Sequence, residues 1–331
     1  MDDLPSPPNR RVCIVGAGAI GCTLAARLAN SGQPVSVLAR GATLAAIASH
    51  GVTLTDLDGE HHAHVKVAAD PAQLGEQDLV FICIKAPGLA SLLPTLAPLI
   101  GPHTVVVPVV NGVPWWYFHG DTGRFANSHI EAVDPGGVIS QALDVKHVLG
   151  CVVFITAEVL APGVVRASNP HLMILGEPDN SQSPRLAQVC ALIKGAGIEA
   201  RASERIRDSL WTKIIANLTS NPLSVLTGAT LAQLYGQPGL NAVVAKILNE
   251  TLLTAAAYGA RVGFDPQTFM QMGADMGEVR TSMLQDYEHG RPLELQAIGD
   301  AVIELAERQG LNMPVTRDIL NLARFRSQPS L

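Results

Sequence analysis

The sequence predicts an α/β fold in which a doubly wound parallel sheet is followed by an all-helical region. Three observations carry this. Short apolar runs rich in β-branched residues alternate with helical stretches from residue 12 to about residue 110. A glycine-rich turn, Gly16-Ala17-Gly18-Ala19-Ile20-Gly21, joins the first run to the first helix. After about Ser203 the strand signals stop and helical periodicity dominates.

The elements follow in order. Val12-Cys13-Ile14-Val15 is the first strand, and the alanine- and leucine-rich helix after the glycines ends near Gly32. Val35-Ser36-Val37-Leu38 is the second strand, closing at Ala39-Arg40, with a helix over 42–49. Residues 52–55 and 63–67 read as a hairpin around Asp58-Gly59. Residues 78–84 form a buried strand, followed by a leucine-rich helix from about Gly88 and another buried strand over 104–110. The rhythm then breaks over 113–147, where Trp115-Trp116-Tyr117-Phe118 leads into a polar stretch. Strand-like pieces resume at 148–156, 163–166 and 172–175, then a helix over 184–196 and a strand over 198–201. Helices are expected at 207–218, 240–258, 266–276, 293–309 and 314–326.

In G-x-G-x-x-G between a strand and a helix, the first glycine turns the chain and the second clears room for a pyrophosphate. The third lets helix and strand pack closely. The helix N-terminus then favours the anion. Gly16, Gly18, Ala19, Ile20 and Gly21 are therefore the expected cofactor contacts of a Rossmann-type domain. NAD-binding domains usually carry an acid at the end of the second strand. Arg40 stands there instead and suits a 2′-phosphate, so NADP(H) is the expected cofactor. The domain reading is a flexible tail over 1–10, an NADP-binding Rossmann-type domain over 11–203, and a helical substrate and catalytic domain over 204–331.

Bulk properties narrow the class. The chain has 331 residues, 47% hydrophobic and 16% charged, which describes a globular protein with a large core. A net charge of −6 with no basic run argues against nucleic acid. Five cysteines without a C-x-x-C pair fit a reducing cytoplasm. Residues 12–29 are apolar, but glycines at turn spacing and the missing positive leader argue against a signal peptide or a membrane helix. His61, His62 and His64 lack metal-ligand spacing, and no metal is expected. Apolar helices around 240–257 favour a homodimer.

Ligands of open α/β sheets bind beyond the carboxyl ends of the strands, where Lys85 and Asn111 fall. In the helical region Lys213, Asn217 and Asn221 are spaced i, i+4, i+8, on one helix face among apolar neighbours. Asparagine is a poor mid-helix residue, so two of them beside a lysine suggest the polar lining of a cleft. Ser282 and Glu294 are two further polar positions. A proline just before an acid is also an ordinary helix start, so spacing alone leaves Glu294 open.

Taken together, these positions resemble the ketopantoate reductase (2-dehydropantoate 2-reductase) family. The resemblance covers most of 11–325. It rests on the glycine motif, Arg40, Ile84-Lys85, Asn111-Gly112, Leu210-Trp211-Thr212-Lys213 with Asn217 and Asn221-Pro222, Ser282 to Asp286, and Pro292-Leu293-Glu294. It implies reduction of a branched 2-keto acid by NADPH on the way to pantothenate. By that resemblance Lys213 protonates the carbonyl oxygen and Glu294 helps hold the lysine and the substrate. Asn217, Asn221 and Ser282 would bind the substrate, Asn111 and Lys85 would lie near the nicotinamide, and Arg40 would take the 2′-phosphate. An ammonium near the carbonyl fits, because hydride attack builds negative charge on that oxygen. Val110 departs from the family, where glutamine or histidine often precedes Asn-Gly, and the segment after Gly112 is longer. Two alternatives therefore stand beside ketopantoate reduction. One is a related 2-keto acid reductase with a pocket altered by Trp115–Phe118. The other is an NADPH-binding regulator without turnover.

Overall fold

The computed structural model describes residues 9–328, so most of the tail expected over 1–10 lies outside the described residues. The chain divides into two compact units. One holds the residues up to Val110 with Phe118–Asn127 and Ile139–Ile206. The other holds Asn111–Tyr117, Ser128–Val138 and the residues from Arg207 on.

The first unit is built on a five-stranded parallel sheet of order β5-β2-β1-β6-β7. Its strands are β1 (Val12–Val15), β2 (Val35–Leu38), β5 (Lys66–Ala68), β6 (Gln77–Ile82) and β7 (Ile100–Pro108). The central β1 is wholly buried and pairs in parallel with both β2 and β6. Helices α1 (Ala19–Asn30) and α2 (Gly41–His50) follow β1 and β2. The alternation expected from the sequence is present, with four differences.

The hairpin arms are β3 (Val52–Asp56) and β4 (Gly59–Ala63), so the second arm ends at Ala63, where the expected one, 63–67, begins. The chain then turns so that β5 joins the parallel sheet beside β2. The expected helix from Gly88 is only α3 (Leu89–Leu92), continued as a 3₁₀ stretch over Leu93–Leu99. Pro94 and Pro98 lack the N–H that an α-helix needs there. Strand β9 (Ala157–Ala161) gives no apolar signal because it is an edge strand, mostly exposed. Finally, β8 (Gly150–Phe154), β10 (Val164–Ala167), β11 (Leu172–Gly176) and β12 (Glu199–Ala202) do not lengthen the parallel sheet. They form a second sheet, β4-β3-β10-β9, and a third, β12-β11-β8. Helix α4 (Val138–Ala142) precedes β8, and α5 (Pro184–Gly195) lies between β11 and β12 in the chain.

The second unit is helical: α6 (Ile206–Thr227), α7 (Leu231–Gly236), α8 (Pro238–Ala257), α9 (Pro266–Asp275), α10 (Ser282–Glu288), α11 (Ala301–Arg308) and α12 (Pro314–Arg326). The sequence stops the first of these at 218, but α6 runs nine residues further, through Pro222. Hydroxyls hold the helix around that proline. Thr219 Oγ1 donates to the Ile215 carbonyl, Ser220 Oγ to Ala216 and Ser224 Oγ to Asn221. The expected helix over 293–309 instead opens with a π-helical turn, Gln296–Asp300, before α11. No helix among the described residues is long and apolar enough to cross a membrane.

Candidate active site

In the first unit the glycine turn takes the shape that its spacing predicts. Gly16 has φ +103°, and its N–H donates to the Leu38 carbonyl at 3.0 Å. A Cβ on Gly21 would run into the Gly16 carbonyl oxygen, so only glycine lets α1 start so close to β1. Gly18 is exposed, and a Cβ there would meet nothing within 4 Å. It is the N-cap of α1 but offers no side-chain cap, and the first turn holds no acid. The N–H groups of Ala19, Ile20 and Gly21 precede the first intrahelical bond, from Cys22 N–H to the Gly18 carbonyl. An open, uncapped helix N-terminus with a positive dipole end fits a pyrophosphate.

Arg40 is exposed and follows β2, two residues beyond Leu38, whose carbonyl fastens Gly16. That backbone bond places the arginine at the same strand end as the glycine turn. Lys85 is half-buried and leads a 3₁₀ turn after β6, the other neighbour of β1.

In the second unit, α6 carries Lys213, Asn217 and Asn221 one turn apart on one face. Lys213 and Asn217 are half-buried, and Asn221 is buried. The amide nitrogens of Asn217 and Asn221 are both shielded from solvent and have no hydrogen-bond partner among the described residues. Ser282 opens α10 and is exposed. Its neighbour Thr281 caps that helix and shares a buried 2.6 Å hydrogen bond with Ser224 of α6. Since Ser224 also bonds the Asn221 carbonyl, Ser282 is fastened near the Asn221 end of α6.

Asn111 and Glu294 meet directly, with Asn111 Nδ2 donating to Glu294 Oε2 at 3.5 Å. Glu294 is 8% exposed and stands just before the π-helical turn. Such turns recur at functional sites. Gly112 makes the meeting possible, because a side chain there would collide with the Ala297 backbone. Val113 N–H then bonds the Ala297 carbonyl at 2.8 Å. Sequence reasoning placed Asn111 and Glu294 separately, and nothing local to either residue signals the other. It also missed the Thr281–Ser224 pair, whose only trace is a threonine in front of a short helical run.

A helical face of one lysine and two buried amide donors, with a carboxylate and a further asparagine held together in the same unit, suits an oxygen-rich anion. The first unit carries a nucleotide-type glycine turn. This is the equipment of a nicotinamide-dependent oxidoreductase. Two family models match, ketopantoate reductase PanE/ApbA over residues 12–116 and its C-terminal counterpart over 205–327. A 2-dehydropantoate 2-reductase from Mesorhizobium japonicum is 40% identical over 315 residues, covering 95% of this chain and 97% of that protein. The chain belongs to the ketopantoate reductase family. A crystal structure from Ralstonia solanacearum MolK2, of a protein proposed to be a ketopantoate reductase, is 42% identical with a TM-score of 0.91. It covers 96% of this chain and 98% of that one. A ternary structure of D-mandelate dehydrogenase with NADH and anilino(oxo)acetate has a TM-score of 0.82 at 20% identity, over 96% and 98% of the two chains. It shows the shared fold alone.

Proposed function

We propose that the chain reduces ketopantoate (2-dehydropantoate) to pantoate with NADPH. The polar face of α6 carries this reading: a lysine followed by two amide donors that lack acceptors among the described residues. The cofactor, when bound, supplies a hydride to the carbonyl carbon. Lys213 stabilises the charge growing on the carbonyl oxygen and gives it a proton, completing the alcohol. Asn217 and Asn221 donate to the substrate's carboxylate and hydroxyl without adding charge. Ser282 adds a hydroxyl at the Asn221 end. Glu294, held by Asn111, orients the lysine and substrate. Gly16, Gly18, Ala19, Ile20 and Gly21 cradle the pyrophosphate, Arg40 takes the 2′-phosphate, and Lys85 and Asn111 serve the nicotinamide end.

The domain reading is an NADP-binding region over 11–203 and a substrate region over 204–331. Five cysteines with no disulfide among the described residues support a reducing cytoplasm as the setting. Exposed Leu253 on α8, with Leu322 and Phe325 on α12, supports a homodimer. The buried tryptophans at 115 and 116 favour a second reading, a related 2-keto acid reductase whose pocket they reshape.

Replacing the lysine tests the chemistry. Lys213→Ala is expected to lower kcat by roughly 10²- to 10⁴-fold, the usual contribution of a general acid. The NADPH Kd of that variant should stay within about twofold. Turnover near that of the parent would remove Lys213 from its role.

A further inference from the structure

The segment Asn111–Tyr117, part of the second unit, is fastened at both ends to the helices of that unit. At one end Val113 N–H bonds the Ala297 carbonyl, three residues beyond Glu294. At the other, Tyr117 Oη accepts from Trp211 Nε1 at 2.7 Å and the Tyr117 carbonyl accepts from Arg207 Nε at 2.7 Å. Trp211 precedes Lys213 by two residues on α6, and its ring meets Tyr117 edge-to-face. The turn 114–117, closed by Tyr117 N–H on the Pro114 carbonyl, therefore runs from the Glu294 element to the Lys213 helix.

Trp115 and Trp116 sit in that turn, only 5% and 4% exposed. Both indole N–H groups are cut off from solvent and have no hydrogen-bond partner among the described residues. Trp211, by contrast, has its N–H satisfied. Burying a donor without an acceptor is costly, and proteins rarely do it twice in adjacent residues. The amides of Asn217 and Asn221 show the same lack in the same unit. All four groups are neutral N–H donors. A ligand made of acceptors would suit such donors, and a 2-keto acid is one: a carboxylate beside a carbonyl.

We propose that the indole N–H groups of Trp115 and Trp116 donate to the bound 2-keto acid, their rings forming an apolar wall that sets which keto acid fits. This rests on the reductase reading above and deepens it. A tryptophan supplies donor and wall together and adds no charge.

The chain has three tryptophans, so its indole ¹H–¹⁵N spectrum has three signals. Trp115→Phe and Trp116→Phe assign two of them, and Trp211 serves as the internal reference. The parent protein is titrated with ketopantoate in the presence of NADP⁺, which cannot turn over. The proposal expects the Trp115 and Trp116 signals to move downfield at saturation while Trp211 stays in place. In steady-state assays each Trp→Phe variant should lose about tenfold in kcat/KM for the keto acid, as for one hydrogen bond to an ionised acceptor, with the NADPH Kd unchanged. Saturable keto acid binding that leaves both indole signals in place overturns the proposal and spares the reductase reading. A shift confined to one signal removes the other residue. No saturable binding of keto acid overturns the reductase reading itself.

Discussion

In the proposed reading, Arg40 is the one side chain that separates two cofactors differing by a single phosphate. The residue is exposed, stands at the strand end beside the glycine turn, and makes no ion pair among the described residues. A guanidinium there offers a fork of donors to a 2′-phosphate, whereas an acid would repel it. Arg40→Asp is expected to lower the NADPH-to-NADH ratio of kcat/KM by roughly 10- to 100-fold, the range of one or two charge-assisted hydrogen bonds. An unchanged ratio would show that Arg40 does not read the phosphate. Residues whose placement follows from local spacing were legible at this scale. Lys213, Asn217 and Asn221 share a helix face because of their four-residue spacing, and Gly16, Gly18 and Gly21 are set by the turn they make. Spacing alone left Glu294 open, since it looks like any acid after a proline, and only the family resemblance singled it out. Its partner Asn111 lies 183 positions away.

The hairpin β3–β4 shows how an element is locked to its neighbours. Arg27 of α1 reaches Asp56 through Nε at 2.9 Å and Asp58 at 2.5 Å. His61 Nε2 meets Asp56 Oδ1 at 3.0 Å. His171, in the loop before β11, is buried with Nε2 3.8 Å from Asp56. Burial pushes the His171 pKa below its ordinary value, and the nearby Arg27 adds to that, although Asp56 and Asp58 pull the other way. The unfolded imidazole takes its proton near pH 6.5, and folded His171 takes it only at lower pH. Between the two the unfolded chain binds more protons, so stability falls as pH drops through 6.5 and levels off below the folded pKa. Urea midpoints at pH 7.5 and 5.5 should therefore differ less in His171→Asn than in the parent. Equal differences would mean that His171 does not contribute. A single histidine outside any motif gives no sequence signal of such a cluster. Edge strand β9, the early end of β4 and the π-helical turn were likewise invisible, because edge exposure, sheet exchange and helix register depend on contacts from elsewhere in the chain.

Over the whole molecule, the division into a strand-rich and a helical region was legible because hydrophobic periodicity changes after about residue 203. The route between 111 and 138 was not. There the chain belongs first to the helical unit, then to the sheet unit, then to the helical unit again, with no period to mark the passage. The first unit carries an uncapped glycine-turn helix and the second a lysine with orphaned amide donors, the two features on which the proposed reduction rests. The measurement that tests this most directly follows loss of the NADPH absorbance band with purified protein, ketopantoate and a panel of other 2-keto acids. The account predicts consumption with ketopantoate at a rate well above the panel. NADPH binding without consumption of any keto acid would contradict it.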